Sequence, residues 1–310
     1  MDRIENIIDK IRDKINATRK QYLLMQNKKN RDKICACLDT IWDVQVSIRE
    51  YDKLADDKDS LYLPIYWLLQ WLYLETDAVG HLHEIICGNI IKFQSEYPKV
   101  QEIRNLRNDI IWHPISRRDK KTKLELDSFH VIGRYSISKK WFTVINYRAH
   151  DQDTIKHIDI YDIIEKQQLG IEHILTKVLN TLIEEEINHK KTFEGKNISD
   201  LIHSIFDYHI SKLYEWIERD YIISKISIES IKETYENIKI AIIKRYETYS
   251  FYEHNINKIW YIIDNLLKIF NYEIDKNKKD LEIYIDVLKM EFKELKNILK
   301  EIDDDFTVEK

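Results

Sequence analysis

Ile4, Ile7, Ile8, Ile11 and Ile15 recur three or four positions apart, with charges of both signs between them. At about 100° per residue that spacing lines one face of a helix, so the pattern predicts helix over 2–25. "NKKNRDK" interrupts it, and Ile34, Leu38, Ile41, Trp42 and Ile48 then continue the period in a second helix over 31–51. "DKLADDKDS" reads as a charged loop. From 61 to 95 the chain is so dense in Trp and Leu that it predicts a long, central and most buried helix. "SEYPK" ends it, because Pro98 pushes Tyr97 out of helical geometry. A further helix runs over 100–112 and stops at Pro114.

The pattern then changes. "SFHVIGRYSISKKWFTVINYR" is rich in β-branched and aromatic residues around a polar turn, which predicts a hairpin with strands near 127–136 and 141–148. Helical periodicity returns with "DIYDIIEKQQLGIEHILTKVLNTLIEEEI", and Gly195 in "FEGKN" marks a stop and a segment boundary. Beyond it, 198–301 reads as several helices with little punctuation. Leu281, Leu288 and Leu295 recur every seven residues, with Tyr284, Ile285, Phe292 and Leu299 on the same stripe, which fits a packing helix in a bundle or a short coiled-coil contact. The expected fold is mainly α: a helical bundle over 1–195 with a β-hairpin insertion, then a second helical region over 196–310.

Composition sharpens this. With 5 Gly and 3 Pro in 310 residues the chain has few turn-formers, and loops built on runs of Gly to cradle phosphates are excluded. A charged fraction of 33% beside 44% hydrophobic residues describes a globular chain. The net charge of −5 argues against indiscriminate coating of nucleic acid, so any such site is a local basic feature. The richest apolar run, from Leu61, is broken by Pro64, Gln70, Glu75 and Asp77, short of a membrane span. The first residues lack the basic start and apolar core of a secretion signal, so a cytoplasmic location is expected. Cys35, Cys37 and Cys87, odd in number, are expected to be buried thiols rather than disulfides or zinc ligands.

The candidate chemistry is sparse. "HLHE" offers His81 and Glu84 on one helical face, but His83 points away from His81, and no metal site is expected. No serine-nucleophile, phosphate-loop, dinucleotide-binding or zinc-protease motif is present. "LRNDIIWHP" is different. Arg107 is a phosphate-binding cation and His113 a group that moves protons near neutral pH. Ile110, Ile111 and Trp112 between them look like core. Asp109 lies four residues before His113, where it could orient the imidazole. Arg107 and His113 would point about 120° apart on a straight helix, so their convergence needs local distortion, the reach of Arg or a second chain. Arg117, Arg118, Lys120, Lys121 and Lys123 follow as a dense basic loop suited to a polyanion.

These residues resemble the signature of the HEPN superfamily (higher eukaryotes and prokaryotes nucleotide-binding): an Arg, a following Asn or other polar residue, then a His four to six positions on. Here Arg107, Asn108 and His113 fill the slots with five residues between Arg and His, and Pro114 follows as in abortive-infection members. The resemblance covers about residues 1–195, and its specific part is the motif. Where the toxin branch paired with a nucleotidyltransferase carries Tyr, this chain has Ile115, so it is not assigned to that branch.

The resemblance implies a metal-independent endoribonuclease without cofactor, acting as a toxin or antiviral effector. His113 would be the general acid or base and Arg107 would stabilise the transition state. Asn108 and Asp109 would support them, Arg117 to Lys123 would bind RNA, and a homodimer would bring two motifs into one cleft. Residues 196–310 would be left to hold a regulatory partner. The competing expectation is a catalytically silent helical binding or scaffold protein.

Overall fold

The computed structural model describes residues 2–112, 117–118, 125–126, 128–148, 152–202, 204–218, 221–271 and 278–307. Helices α1 (Asp2–Asn16), α2 (Thr18–Met25), α3 (Lys28–Asp52), α4 (Lys58–Cys87), α5 (Phe93–Glu96) and α6 (Pro98–Arg107) come first, and α6 runs into a π-helical turn, Asn108–Trp112. Strands β1 (Arg117–Arg118), β2 (Glu125–Leu126), β3 (Ser128–Ile137), β4 (Trp141–Arg148) and β5 (Thr154–Asp159) follow. Then come α7 (Ile160–Lys191), α8 (Ser204–Glu218), α9 (Tyr221–Tyr246), α10 (Glu253–Phe270) and α11 (Lys278–Asp305). The protein is mainly helical with a small antiparallel sheet.

The chain divides into two compact units, Met1–Ile15 with Asn27–Ile183, and Asn16–Gln26 with Glu184–Lys310. The boundary at Ile183 lies about a dozen residues before the division suggested by Gly195, and α2 belongs to the second unit, packing on α9, although in sequence it lies between α1 and α3 of the first.

In the first unit α4 is the axis. It packs on α3, α6 and β3, and buries Leu61, Ile65, Leu68, Leu69 and Leu72. The apolar pattern read as one helix to Ser95 is broken at Gly88. That residue takes the left-handed conformation (φ 76°) that terminates α4, a geometry a side chain would resist. Pro98 opens α6 at its first turn, where its missing N–H has no partner to lose. α6 and α7 meet closely at Gly170: a Cβ there would lie 2.4 Å from Val100 Cγ2.

β3 and β4 form the expected hairpin, closed by Ser138, whose amide donates to the Trp141 carbonyl and whose hydroxyl accepts from the Lys140 and Trp141 amides. β5 adds a third strand in the order β3-β4-β5. Ile132, Ile137, Phe142, Val144 and Ile158 turn the sheet's inner face onto α3, α4 and Ile110 of the π turn.

The second unit is a helical bundle. Leu281, Ile285, Leu288, Phe292, Leu295 and Leu299 are all buried in its core with residues of α8, α9 and α10, so the heptad stripe on α11 is bundle packing. Arg245 is buried there against Asp303 at 3.3 Å and also donates to the Lys196 carbonyl, while Asp303 accepts the Ile198 and Ser199 amides.

The Gly170 contact is testable. Gly170→Ala would raise helix propensity by up to ~1 kcal/mol but drive a methyl into buried Val100. A net loss of about 1–3 kcal/mol is expected in urea unfolding. A variant more stable than the parent would show that α6 and α7 are not held at this distance.

Candidate functional site

The motif helix ends in a distorted turn rather than simply stopping. After Arg107 the ladder widens to a π turn over Asn108–Trp112, a geometry frequent at functional sites. A distortion of the helix, one of the three routes to convergence, thus lies between Arg107 and Trp112, while His113 lies outside the described residues. Ile110 is buried in the core and Ile111 packs against it, as expected. Trp112 is not core: it is 65% exposed. Three consecutive large residues on a helical turn cannot all face inward.

Arg107 is only 3% exposed. Its Nε–H donates to Gln70 Oε1 at 3.0 Å, an Nη2–H donates to the same oxygen, and an Nη1–H donates to Asn108 Oδ1 at 3.1 Å. Two of the five N–H groups of a guanidinium are left without a partner among the described residues. The Tyr73 ring centroid lies 4.1 Å from the guanidinium carbon and that of Trp112 5.3 Å away. Burial lowers the Arg107 pKa from its ordinary value, with Tyr73 and Asp77 acting the other way. Among the described residues no carboxylate lies within ion-pairing distance of it: amides and rings contact it, and Asp77, paired with Arg104, acts on it only from further off.

Its neighbours are handled differently. Arg104, one turn earlier, is neutralised by Asp77 at 2.6 Å while lying over Tyr73. Arg245 in the second unit is as buried as Arg107 and is paired with Asp303. Both read as structural cations. Arg107 alone of the three has no direct carboxylate partner among the described residues, although the field of Asp77 reaches it.

Asn108 and Asp109 are half-buried on the π turn, and Asn108 orients Arg107 directly. His113, Lys120, Lys121 and Lys123 lie outside the described residues. Arg117 and Arg118 pair in register with Leu126 and Glu125, which makes the start of the basic segment a short ribbon leading into β3. The sequence did not mark Gln70, Tyr73 or Trp112 as part of a site: Gln70 read only as a break in an apolar run and Trp112 as core. Gln70 and Tyr73 sit on α4, far along the chain from Arg107, and no local spacing reveals them.

α4 also carries a buried acid. Glu75 is fully buried, accepting from Gln45 Nε2 at 2.6 Å and Gln167 Nε2 at 2.9 Å. Gln167 Nε2 also reaches the Leu72 carbonyl and Thr76 Oγ1, while its own Oε1 has no partner. Burial raises the Glu75 carboxyl to about 7, against the downward pull of the two amides.

The remaining candidates stay bland. His81 is exposed beside Glu84 at 3.4 Å, while His83 is buried and donates to the Asn89 carbonyl, so the two point apart. Among the described residues no cluster of His, Cys, Asp and Glu is arranged to hold a metal. Cys37 is buried and Cys87 partly so, but Cys35 is exposed, correcting the expectation of three buried thiols. Residues two apart on α3 face opposite ways. No helix among the described residues is long and apolar enough to cross a membrane.

Glu75 sets a pH dependence whose sign follows from its direction. Its carboxyl titrates at an ordinary value of 4.5 when exposed and at about 7 in the folded chain. Between those values the folded chain holds a proton that the unfolded chain has released. Stability is therefore full below the lower value and declines as pH rises through the upper one, by roughly 3 kcal/mol in all. Urea unfolding at pH 5 and pH 8 should show this decline in the parent and much less of it in Glu75→Gln. Parallel behaviour of the two chains would remove Glu75 as the cause.

Comparisons with family models, with curated proteins and with solved structures gave no match to this chain.

Proposed function

We propose that this protein is a metal-independent endoribonuclease of HEPN type whose reactive centre is formed by Arg107 and His113. The observation that carries the reading is Arg107, a buried guanidinium held by Gln70 and Asn108, with two N–H groups unclaimed and no carboxylate partner among the described residues. A buried charge without a counter-charge is costly unless a ligand supplies one, and a phosphodiester supplies both charge and acceptors.

The chemistry asks little else of the protein. RNA carries its own nucleophile: the 2′-oxygen attacks the adjacent phosphorus, the bond to the 5′-oxygen breaks, and no metal-bound water is needed. His113 takes the 2′-hydroxyl proton or gives one to the leaving 5′-oxygen. Arg107 stabilises the charge that builds on the phosphoryl oxygens. Asn108 holds the guanidinium, and Asp109 serves to orient the imidazole. The products are a 2′,3′-cyclic phosphate and a 5′-hydroxyl.

One motif offers one His, so a two-fold homodimer supplies the second proton-transfer group. Leu63, Trp67 and Leu74 expose an apolar stripe on α4 at helical spacing, on either side of Gln70, and Trp112 adds a further exposed ring beside Arg107. A stripe of this kind suits such a contact. A toxin or antiviral role rests on the family resemblance. A second reading, a catalytically silent helical binding protein, is favoured by the burial of Arg107, which is only 3% exposed to an incoming phosphate.

The test is cleavage of total cellular RNA in EDTA by the parent, Arg107→Ala and His113→Ala. Loss of about 10²-fold or more in both variants is expected, with cyclic phosphates on the parent's products. Cleavage abolished by EDTA, or retained in His113→Ala, would contradict the reading. No cleavage by any form would favour the silent module.

A further inference from the structure

The π turn decides where Trp112 sits. Arg107 is the last residue of α6 and Trp112 the last of the π turn, five positions on. On a straight helix Trp112 would lie about 140° around the axis from Arg107. A π turn bonds each residue to the fifth rather than the fourth, so residues five apart come back over one another. The widening therefore carries the indole back onto Arg107. Its ring centroid lies 5.3 Å from the guanidinium carbon, and the Tyr73 ring lies 4.1 Å from the same carbon.

The side chains that meet this guanidinium are not equivalent. Gln70, Tyr73 and Asn108 are half-buried, and Arg107 itself is almost fully buried. Trp112 is 65% exposed and forgoes the burial that its neighbour Ile110 obtains. Among the described residues that touch Arg107, the indole is the one open to an approaching molecule, and it has a cation directly behind it.

That pairing narrows the occupant. A nucleotide carries a phosphate and a flat base on one sugar. Arg107 and Trp112 offer a guanidinium for the first and a ring for the second, side by side. A second copy of the chain would be served by Leu63, Trp67 and Leu74, which are exposed on α4. An apolar partner has no use for a cation stacked on the ring it covers.

We propose that Trp112 is a substrate-positioning residue, stacking on a base next to the phosphate bound by Arg107 and so setting a preference for a purine beside the cut. The proposal rests on the ribonuclease reading and deepens it. Purines present larger rings than pyrimidines, so a stacking site favours them without reading any hydrogen-bonding edge. A base inside a duplex is already covered on both faces, so the stack forms where the RNA is unpaired.

The test uses the full chain and total cellular RNA in EDTA, with the cut sites located by sequencing the product ends. The parent should cut with a purine on one fixed side of the broken bond. Trp112→Ala should cleave about tenfold or more slowly and lose the purine preference with the ring. Trp112→Phe, which keeps a ring, should retain the preference. The side chain is surface-facing, so both variants should unfold at the parent's temperature, which is checked alongside.

A parent that cuts without regard to the neighbouring base overturns the stack and leaves the ribonuclease reading standing. So does a Trp112→Ala chain that keeps the parent's sites, whether at the same rate or uniformly slower, since the ring then only braces the turn. Faster cleavage by Trp112→Ala overturns it too, because the ring is then a cover over Arg107. A parent dimer that Trp112→Ala dissociates assigns the ring to a protein contact instead. A parent that cleaves no RNA removes the ribonuclease reading, and the stack with it.

Discussion

Burying a guanidinium costs several kcal/mol unless its charge is matched, and the first unit is organised around how it meets that cost at Arg107. α4 presents Gln70 and Tyr73 to it, and α6 delivers it at the helix terminus. The π turn that follows places Asn108 and Trp112 within its reach. Remove Arg107 and Gln70 loses the donors its oxygen is aimed at.

Glu75 repeats the arrangement with the opposite sign. Gln45 from α3 and Gln167 from α7 both donate to it, so three helices are tied through one carboxyl in a dry interior. Carboxamides meet both Glu75 of α4 and Arg107 of α6, although the second unit handles the equivalent problem at Arg245 with a carboxylate. An amide orients a charge without neutralising it. At Glu75 burial outweighs the downward pull of the two amides and a proton is retained to about neutral pH, while Arg107 keeps a guanidinium with no direct carboxylate partner among the described residues. The sheet bears on the same place, since its inner face covers Ile110 of the π turn and leaves its outer face, with Phe129 and Tyr147, uncovered.

Much of this was legible along the chain, for local reasons. The Ile stripe of α1, the heptads of α11 and the alternation of β3 and β4 are all patterns in which neighbours in sequence share one environment. What was hidden lacks that property. β5 turns only Ile158 inward and so shows no alternation. The break at Gly88 falls inside a run whose apolar residues continue past it. Trp112 was read as core because it is large and follows two isoleucines, yet consecutive residues on a helical turn diverge. The motif residues Arg107 and Asn108 were visible from their type and spacing. Their environment was not, because Gln70 and Tyr73 reach Arg107 across a tertiary contact that leaves no periodic trace.

If Arg107 is left without a direct carboxylate partner so that an RNA phosphate can supply one, a carboxylate introduced beside it should compete with that phosphate. Gln70→Glu puts a carboxylate where the amide oxygen now accepts from Nε and Nη2. This single change is expected to leave the fold at least as stable in urea while lowering RNA cleavage by about 10²-fold or more, because the ion pair forms inside the protein. A Gln70→Glu chain that cleaves RNA as the parent does, or a parent with no cleavage to lose, would contradict it.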